Sequence, residues 1–193
     1  MTGRPAITIS AMDSSASNLF VQRLCETRTT LLASLQDVSE EQGRFKPAPG
    51  QWSIQDCVEH IALAEHGLFR QMSENWSLAV APFSGEKEMG ILDSGGGDRQ
   101  RKVQAPERAQ PTGRFGSLEE AARQFSAARD RTIDYVTAGT DDLRMRSTAH
   151  PLLGPMSCAE LLAFLVVHPL RHAQQIAEIK QSTGYPGPQA GRA

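Results

Sequence analysis

The chain has 193 residues, a formal net charge of −2, an isoelectric point near 6.2 and an apolar fraction of 39 %. This is long enough for one domain with a core that needs no covalent staples. The scattered basic residues give no nucleic-acid footprint, and Arg99-Gln100-Arg101-Lys102, the one small basic cluster, lies in a glycine-rich stretch and reads as solvated loop.

The three cysteines, Cys25, Cys57 and Cys158, are odd in number, far apart and inside predicted helices, which excludes a disulfide framework. No apolar run reaches membrane-span length, and the opening residues carry no signal-peptide core. The expected location is cytoplasmic, with neither nucleic acid nor membrane as a partner.

In chain order, residues 1–13 lack a period and are expected to form a flexible N-terminal arm. From 14 to 37, Phe20, Leu24, Leu31, Leu35 and Val38 recur at helical spacing, with Thr27 filling the missing turn. Pro47, Pro49 and Gly50 then prevent continuation. Ser53 and Asp56 form a capping box that opens a second helix, expected to run to about Val80 and to be closed by Pro82. Its inward stripe is Cys57, Ile61, Ala64, Leu68 and Met72, and His60 sits beside it.

Residues 82–115 show no periodicity and include Gly95-Gly96-Gly97, Pro106 and Pro111. A connection this long is expected to serve as a lid or a dimer contact, or to be disordered. A second capping box, Ser117 to Glu120, opens a third helix with Leu118, Ala121, Phe125, Ala128, Thr132 and Tyr135 inward and Gly139 as its stop. After a connection from 140 to 156, a third box, Ser157 to Glu160, opens the last helix, and Gly184 and Pro186 end it. Residues 14–184 thus read as one domain and 185–193 as a disordered tail. Four amphipathic helices without strand-like alternation predict an all-α four-helix bundle with long connecting loops.

The last helix carries the chemistry. Leu161, Leu165, His168, His172, Ile176 and Ile179 share one stripe, so the two histidines at i and i+4 face the core together. Pro169, between them, removes the hydrogen bond to the Leu165 carbonyl and is expected to bend the helix, a defect that costs about 3 kcal/mol in an ordinary helix interior. With His60 they are three inward imidazoles, enough for three corners of a tetrahedral zinc site with the fourth left for water or substrate. Nickel, iron or manganese accept the same set. A single inward histidine is more often a satisfied core residue than a ligand; the i, i+4 pair and the third ring on another helix move the balance towards metal.

His168-Pro-Leu-Arg-His172 lacks the glutamate of the His-Glu-x-x-His metalloprotease motif. Glu65, the carboxylate available as a base for hydrolysis, falls towards the edge of the inward face. Cys57, one turn before His60, is the candidate fourth ligand of a closed structural site, though it reads first as a small core residue. His66 reads as surface; His150, before a proline in a loop, is placed either at the mouth of the site or in solvent, with solvent the first reading, and Trp52 and Trp76 read as packing at helix ends.

The stretch from Trp52-Ser53 through Asp56 to His60-Ile61 resembles the Trp-Ser-x-x-acidic-x-x-x-His opening of the second helix in the DinB-like superfamily, which includes YfiT-like proteins and the mycothiol-dependent maleylpyruvate isomerase domain. His150-Pro151 through Gly154 to Ser157 resembles its lead into the last helix. His168-x-x-Arg171-His172-x-x-Gln175-Ile176 resembles its His-x-x-Arg-His-x-x-Gln-Ile signature.

The resemblance implies a four-helix bundle that binds one divalent metal, commonly nickel or zinc, through three histidines, here His60, His168 and His172, often as a homodimer. It also implies a small-molecule substrate and a thiol S-transferase reaction that uses bacillithiol, mycothiol or glutathione. Metal-dependent hydrolysis and a non-catalytic, stress-related metal-binding dimer are the alternatives. Gln175 and Glu59 are the expected groups orienting the imidazoles; both also have a plain surface reading, which is the stronger one for Glu59.

Overall fold

The computed structural model describes residues 14–79, 83, 85–97, 99, 104–139, 142–150 and 153–187. Four long helices make the bundle: α1 (Ser14–Ala33), α3 (Ile54–Ser73), α5 (Leu118–Ala138) and α6 (Cys158–Lys180). A short helix, α2 (Glu40–Arg44), follows α1, and another, α4 (Glu86–Asp93), packs on α6. Around the bundle, α3 contacts α5 and α6, and α1 contacts the same two. The long helices α1 and α3 are therefore diagonal partners, as are α5 and α6.

The starts follow from local chemistry. Ser53 Oγ accepts from Asp56 N at 3.0 Å while the Asp56 carboxylate accepts from Ser53 N at 2.9 Å, and Ser157 and Glu160 repeat the exchange. Each box satisfies two of the backbone N–H groups a helix start leaves unpaired. The expected second box is half made. Ser117 Oγ accepts from Glu120 N, but the Glu120 carboxylate is engaged by Gln124 instead. A box between Ser39 and Gln42, not expected, opens α2. Gly139, at φ 58°, stops α5 in the left-handed conformation a helix end favours.

The connections depart from expectation, and the first helix ends at Ala33, short of residue 37. The second helix ends at Ser73, short of Val80, because the chain turns into a strand, β1 (Ser77–Leu78). Residues 82–115 are not aperiodic throughout: they hold α4 and a 3-10 turn at Glu107–Ala109. The connection before α6 is a hairpin, β2 (Arg146–His150) and β3 (Gly154–Ser157), which pairs antiparallel with β1 in the order β1-β2-β3. Ser147 faces Ser157 and His150 faces Gly154, so β3 delivers the chain directly into the α6 cap. The sheet is small and the molecule remains a helical bundle.

The predicted stripes form the core. Phe20, Leu24, Leu68, Met72, Leu161 and Leu165 belong to one buried cluster, and Leu31, Ile54, Ile61, Phe125 and Ile176 to a second. Val136, not Tyr135, is the buried residue at the end of α5. Tyr135 instead packs edge-on to Phe69 and accepts a hydrogen bond from Arg146, whose guanidinium covers the Trp76 ring at 3.9 Å. The expected tail begins in place: Tyr185 meets Phe45 edge-on at 5.7 Å, and Gln42 Nε2 donates to Pro186 O at 2.9 Å. The expected arm at 1–13 and residues 188–193 lie outside the described residues. Among the described residues, no helix is long and apolar enough to cross a membrane.

Candidate metal centre

His60 comes from α3, and His168 and His172 from adjacent turns of α6, two helices that pack side by side. The i, i+4 spacing stacks the α6 rings on one face, and the helix packing brings the His60 ring to them. His168 Nε2 lies 3.3 Å from His60 Nε2 and 3.2 Å from His172 Nε2, and the three candidate donor atoms all fall within 4.8 Å of one another. A tetrahedral ion roughly 2.0–2.1 Å from each nitrogen requires N···N spacings of about 3.3–3.4 Å.

Protonation strengthens the fit. His60 Nδ1 donates to Ala109 O at 2.7 Å, which leaves His60 Nε2 with a lone pair aimed at its neighbours. With His60 protonated at Nδ1, no placement of single protons makes both contacts hydrogen bonds, so at least one of the 3.3 and 3.2 Å approaches is left without one. A cation shared by the ring nitrogens would satisfy it. The donor set therefore fits a divalent ion, and Cys57 is outside that group: it is buried in the second core cluster, where burial pushes its thiol up.

Burial pushes the His60, His168 and His172 imidazoles below their ordinary range, and mutual repulsion lowers His168 and His172 further. A histidine held neutral in the fold resists protonation that the unfolded chain accepts. Below the ordinary imidazole value of about 6.5 the unfolded state binds more protons, so stability falls as the pH drops through that value. The metal-free protein is expected to lose stability from about pH 6.5 downward, with a urea midpoint flat above pH 7 as the check.

Trp52 does more than close a helix end: its ring lies 4.9 Å from that of His60 and stacks at 6.0 Å on His172. His150, expected in solvent, is buried 4.7 Å from the Phe164 ring, which stacks on His168. Burial, then the charge of Arg108, lowers its pKa. The β2–β3 hairpin puts it there, at the end of a strand that no apolar–polar alternation marks in the sequence. His66 is exposed, as expected.

Gln175 stands beside His172 and is held by Arg99 Nη1, which donates to Gln175 Oε1 at 3.3 Å; His172 Nδ1 itself is buried without a hydrogen-bond partner among the described residues. Glu59 is not a surface residue, and among the described residues its hydrogen bonds are to backbone N–H groups. It is 1 % exposed, and its Oε1 accepts from the backbone N–H of Thr112 at 2.8 Å and of Arg114 at 3.3 Å. Glu59 thus fastens the segment that carries Ala109, the acceptor for His60. Glu65 is withdrawn as a base. It is buried, its Oε2 is 2.9 Å from Arg129 Nη2, and its Oε1 accepts from Thr132 Oγ1 at 2.9 Å.

A cavity of about 810 Å³ opens on the three rings. Leu63, Leu68, Phe164 and Val167 supply an apolar wall, and Arg99, Arg108, Arg114 and Arg171 line it with positive charge. Glu178, the carboxylate in the lining, is engaged by Arg99 at 2.7 Å. At one side Gly96, at φ 99°, lies so close to α6 that a Cβ would come within 2.7 Å of Arg171 N and 3.2 Å of Val167 O. Gly96→Ala is expected to cost about 1–3 kcal/mol, from a backbone clash and a left-handed φ together. A lowered urea midpoint checks it.

A sequence profile of the DinB superfamily matches residues 23–176. An uncharacterised protein of Bacillus subtilis, YuaE, is 23 % identical over 156 residues, covering 81 % of this chain and 94 % of that protein. Among solved structures, YfiT from Bacillus subtilis, described as a probable metal-dependent hydrolase with an unusual four-helix bundle topology, superimposes with a TM-score of 0.56 at 15 % identity, over 96 % of this chain and 95 % of that one. The profile match spans all four long helices and both histidine-bearing segments, and the chain belongs to the DinB superfamily.

Proposed function

We propose that this protein is a divalent-metal-dependent enzyme in which His60, His168 and His172 hold the ion, and that the reaction is transfer of a low-molecular-weight thiol to an electrophile. The observation that carries the metal reading is the approach of His168 Nε2 to His60 Nε2 at 3.3 Å and to His172 Nε2 at 3.2 Å, at the end of a cavity. Three neutral imidazoles leave the ion's charge uncompensated, and when bound it would take a nucleophile in its open position and lower that group's pKa.

The surroundings favour a thiol over water. Glu65, the carboxylate best placed by sequence to assist hydrolysis, is locked to Arg129, and the cavity carboxylate Glu178 is locked to Arg99. The cavity is large enough for two small molecules, and its arginines suit the carboxylates that low-molecular-weight thiols such as glutathione carry. In the reaction a carbon–sulfur bond forms, the bond to the leaving group breaks, that group departs as an anion and the thiol proton passes to solvent. Arg108 and Arg171 would hold the thiol's carboxylates, and Phe164 and Trp52 would exclude water around the reacting sulfur.

Hydrolysis stands second, favoured by the likeness to YfiT, and dimerisation through an outer face remains part of the proposal. Protein loaded with zinc or nickel is expected to accelerate conjugation of glutathione or bacillithiol with 1-chloro-2,4-dinitrobenzene, and to leave p-nitrophenyl acetate close to its background rate. The reverse pattern would replace the transferase reading with the hydrolase one.

A further inference from the structure

Pro169 has no N–H to give the Leu165 carbonyl, yet α6 runs through it without interruption. The missing donor comes from another helix. Arg129 of α5, 0 % exposed, places Nη2 at 2.8 Å from Leu165 O. The same nitrogen meets Glu65 of α3 at 2.9 Å, and Nη1 reaches Thr27 Oγ1 and Leu24 O of α1 at 3.3 and 3.4 Å. One guanidinium therefore joins all four long helices.

Its anchor points lie close to the histidines in sequence: Leu165 is one turn before His168, and Glu65 is five residues, about 7.5 Å of helix, after His60. We propose that Arg129 is a positioning residue for the metal centre: it stands in for the N–H that Pro169 lacks, and with Glu65 it fixes the axial register of α6 against α3 that sets the spacing of His168 from His60. The charge of Glu65 makes the buried guanidinium tolerable, and Thr132 satisfies the second carboxylate oxygen. The role rests on the reading of the three histidines as metal ligands.

The test is Co²⁺ binding, followed by the visible bands of tetrahedral cobalt and by competition with a chelator. Glu65→Leu/Arg129→Met removes both charges together and so leaves no lone buried ion. It is expected to weaken Co²⁺ binding by about 10–100-fold, as outer-shell changes do, while the far-ultraviolet circular dichroism stays helical. Adding Pro169→Ala supplies a backbone N–H to Leu165 O, and should bring affinity back to within about threefold of the Pro169→Ala protein alone. Arg129→Lys, which keeps a charge opposite Glu65 but loses the fork, is the second variant should the first fail to fold, and the same rescue is expected of it. Equal losses with and without Pro169→Ala, or no loss in either background, would overturn the proposal and leave Arg129 as a core brace. A wild-type protein that binds no Co²⁺ would instead overturn the metal reading on which it rests.

Discussion

Replacing His168 and His172 together by alanine is expected to remove metal binding altogether while the bundle stays folded. Wild-type protein purified without a nickel affinity step should carry about one equivalent of zinc, nickel or iron by mass spectrometry of its metals, and the double variant essentially none. The size of the effect follows from the donor count. Two of three imidazoles vanish, and His60 alone, tied through Nδ1 to Ala109, offers a single nitrogen that cannot hold an ion against water. The fold should survive because both rings stand at the cavity wall, and removing them also removes the ring-nitrogen contact that lacks a hydrogen bond. Absence of metal from both proteins would return these residues to the core and end the enzymatic reading.

The largest loss of stability is expected from Arg129→Met. The substitution leaves Glu65 as a buried unpaired carboxylate and strips the donor from Leu165 O. Breaking a buried ion pair from one side costs about 3–5 kcal/mol, a large share of the 5–15 kcal/mol that holds a domain of this kind together. Urea unfolding of the single variant and of Glu65→Leu/Arg129→Met separates the parts. The paired change should recover most of the loss, since no lone charge remains, and keep the smaller penalty of an unsatisfied carbonyl, about 1–3 kcal/mol. A single variant as stable as the wild type would mean that Glu65 stays neutral or hydrated once its partner is gone.

Much of this architecture is legible in the residues, and the exceptions have physical causes. His168 and His172 declare themselves because a long apolar stripe leaves no doubt which way they face. His60 needed only the stripe of α3. The helix α4 was hidden by its length: Glu86–Asp93 is shorter than the window a 3.6-residue period needs, and it carries Gly90. In β2 the inward positions are Arg146, Thr148 and His150, so the alternation of burial is real but is not an alternation of apolar and polar residues. His150 was misplaced for the same reason. Arg129 and Glu65 were discernible in principle. Arg129 falls beside the stripe of Phe125, Ala128 and Thr132, and Glu65 between Ala64 and Leu68, and opposite charges on two inward faces suggest a buried pair. What no periodicity shows is the carbonyl that the arginine serves, because that depends on how a third helix is threaded.

The pair Glu59 and His60, consecutive on α3, grips one stretch of chain at three points: the carbonyl of Ala109 and the amides of Thr112 and Arg114. Local opening of that stretch strips the imidazole of its tautomer-fixing acceptor and uncovers a buried carboxylate in one event. Metal occupancy and local unfolding are thereby linked: each tenfold rise of free ion above its dissociation constant adds about 1.4 kcal/mol to the cost of opening. Hydrogen exchange at the Thr112 and Arg114 amides consequently reports the filling of a centre to which neither residue contributes a ligand.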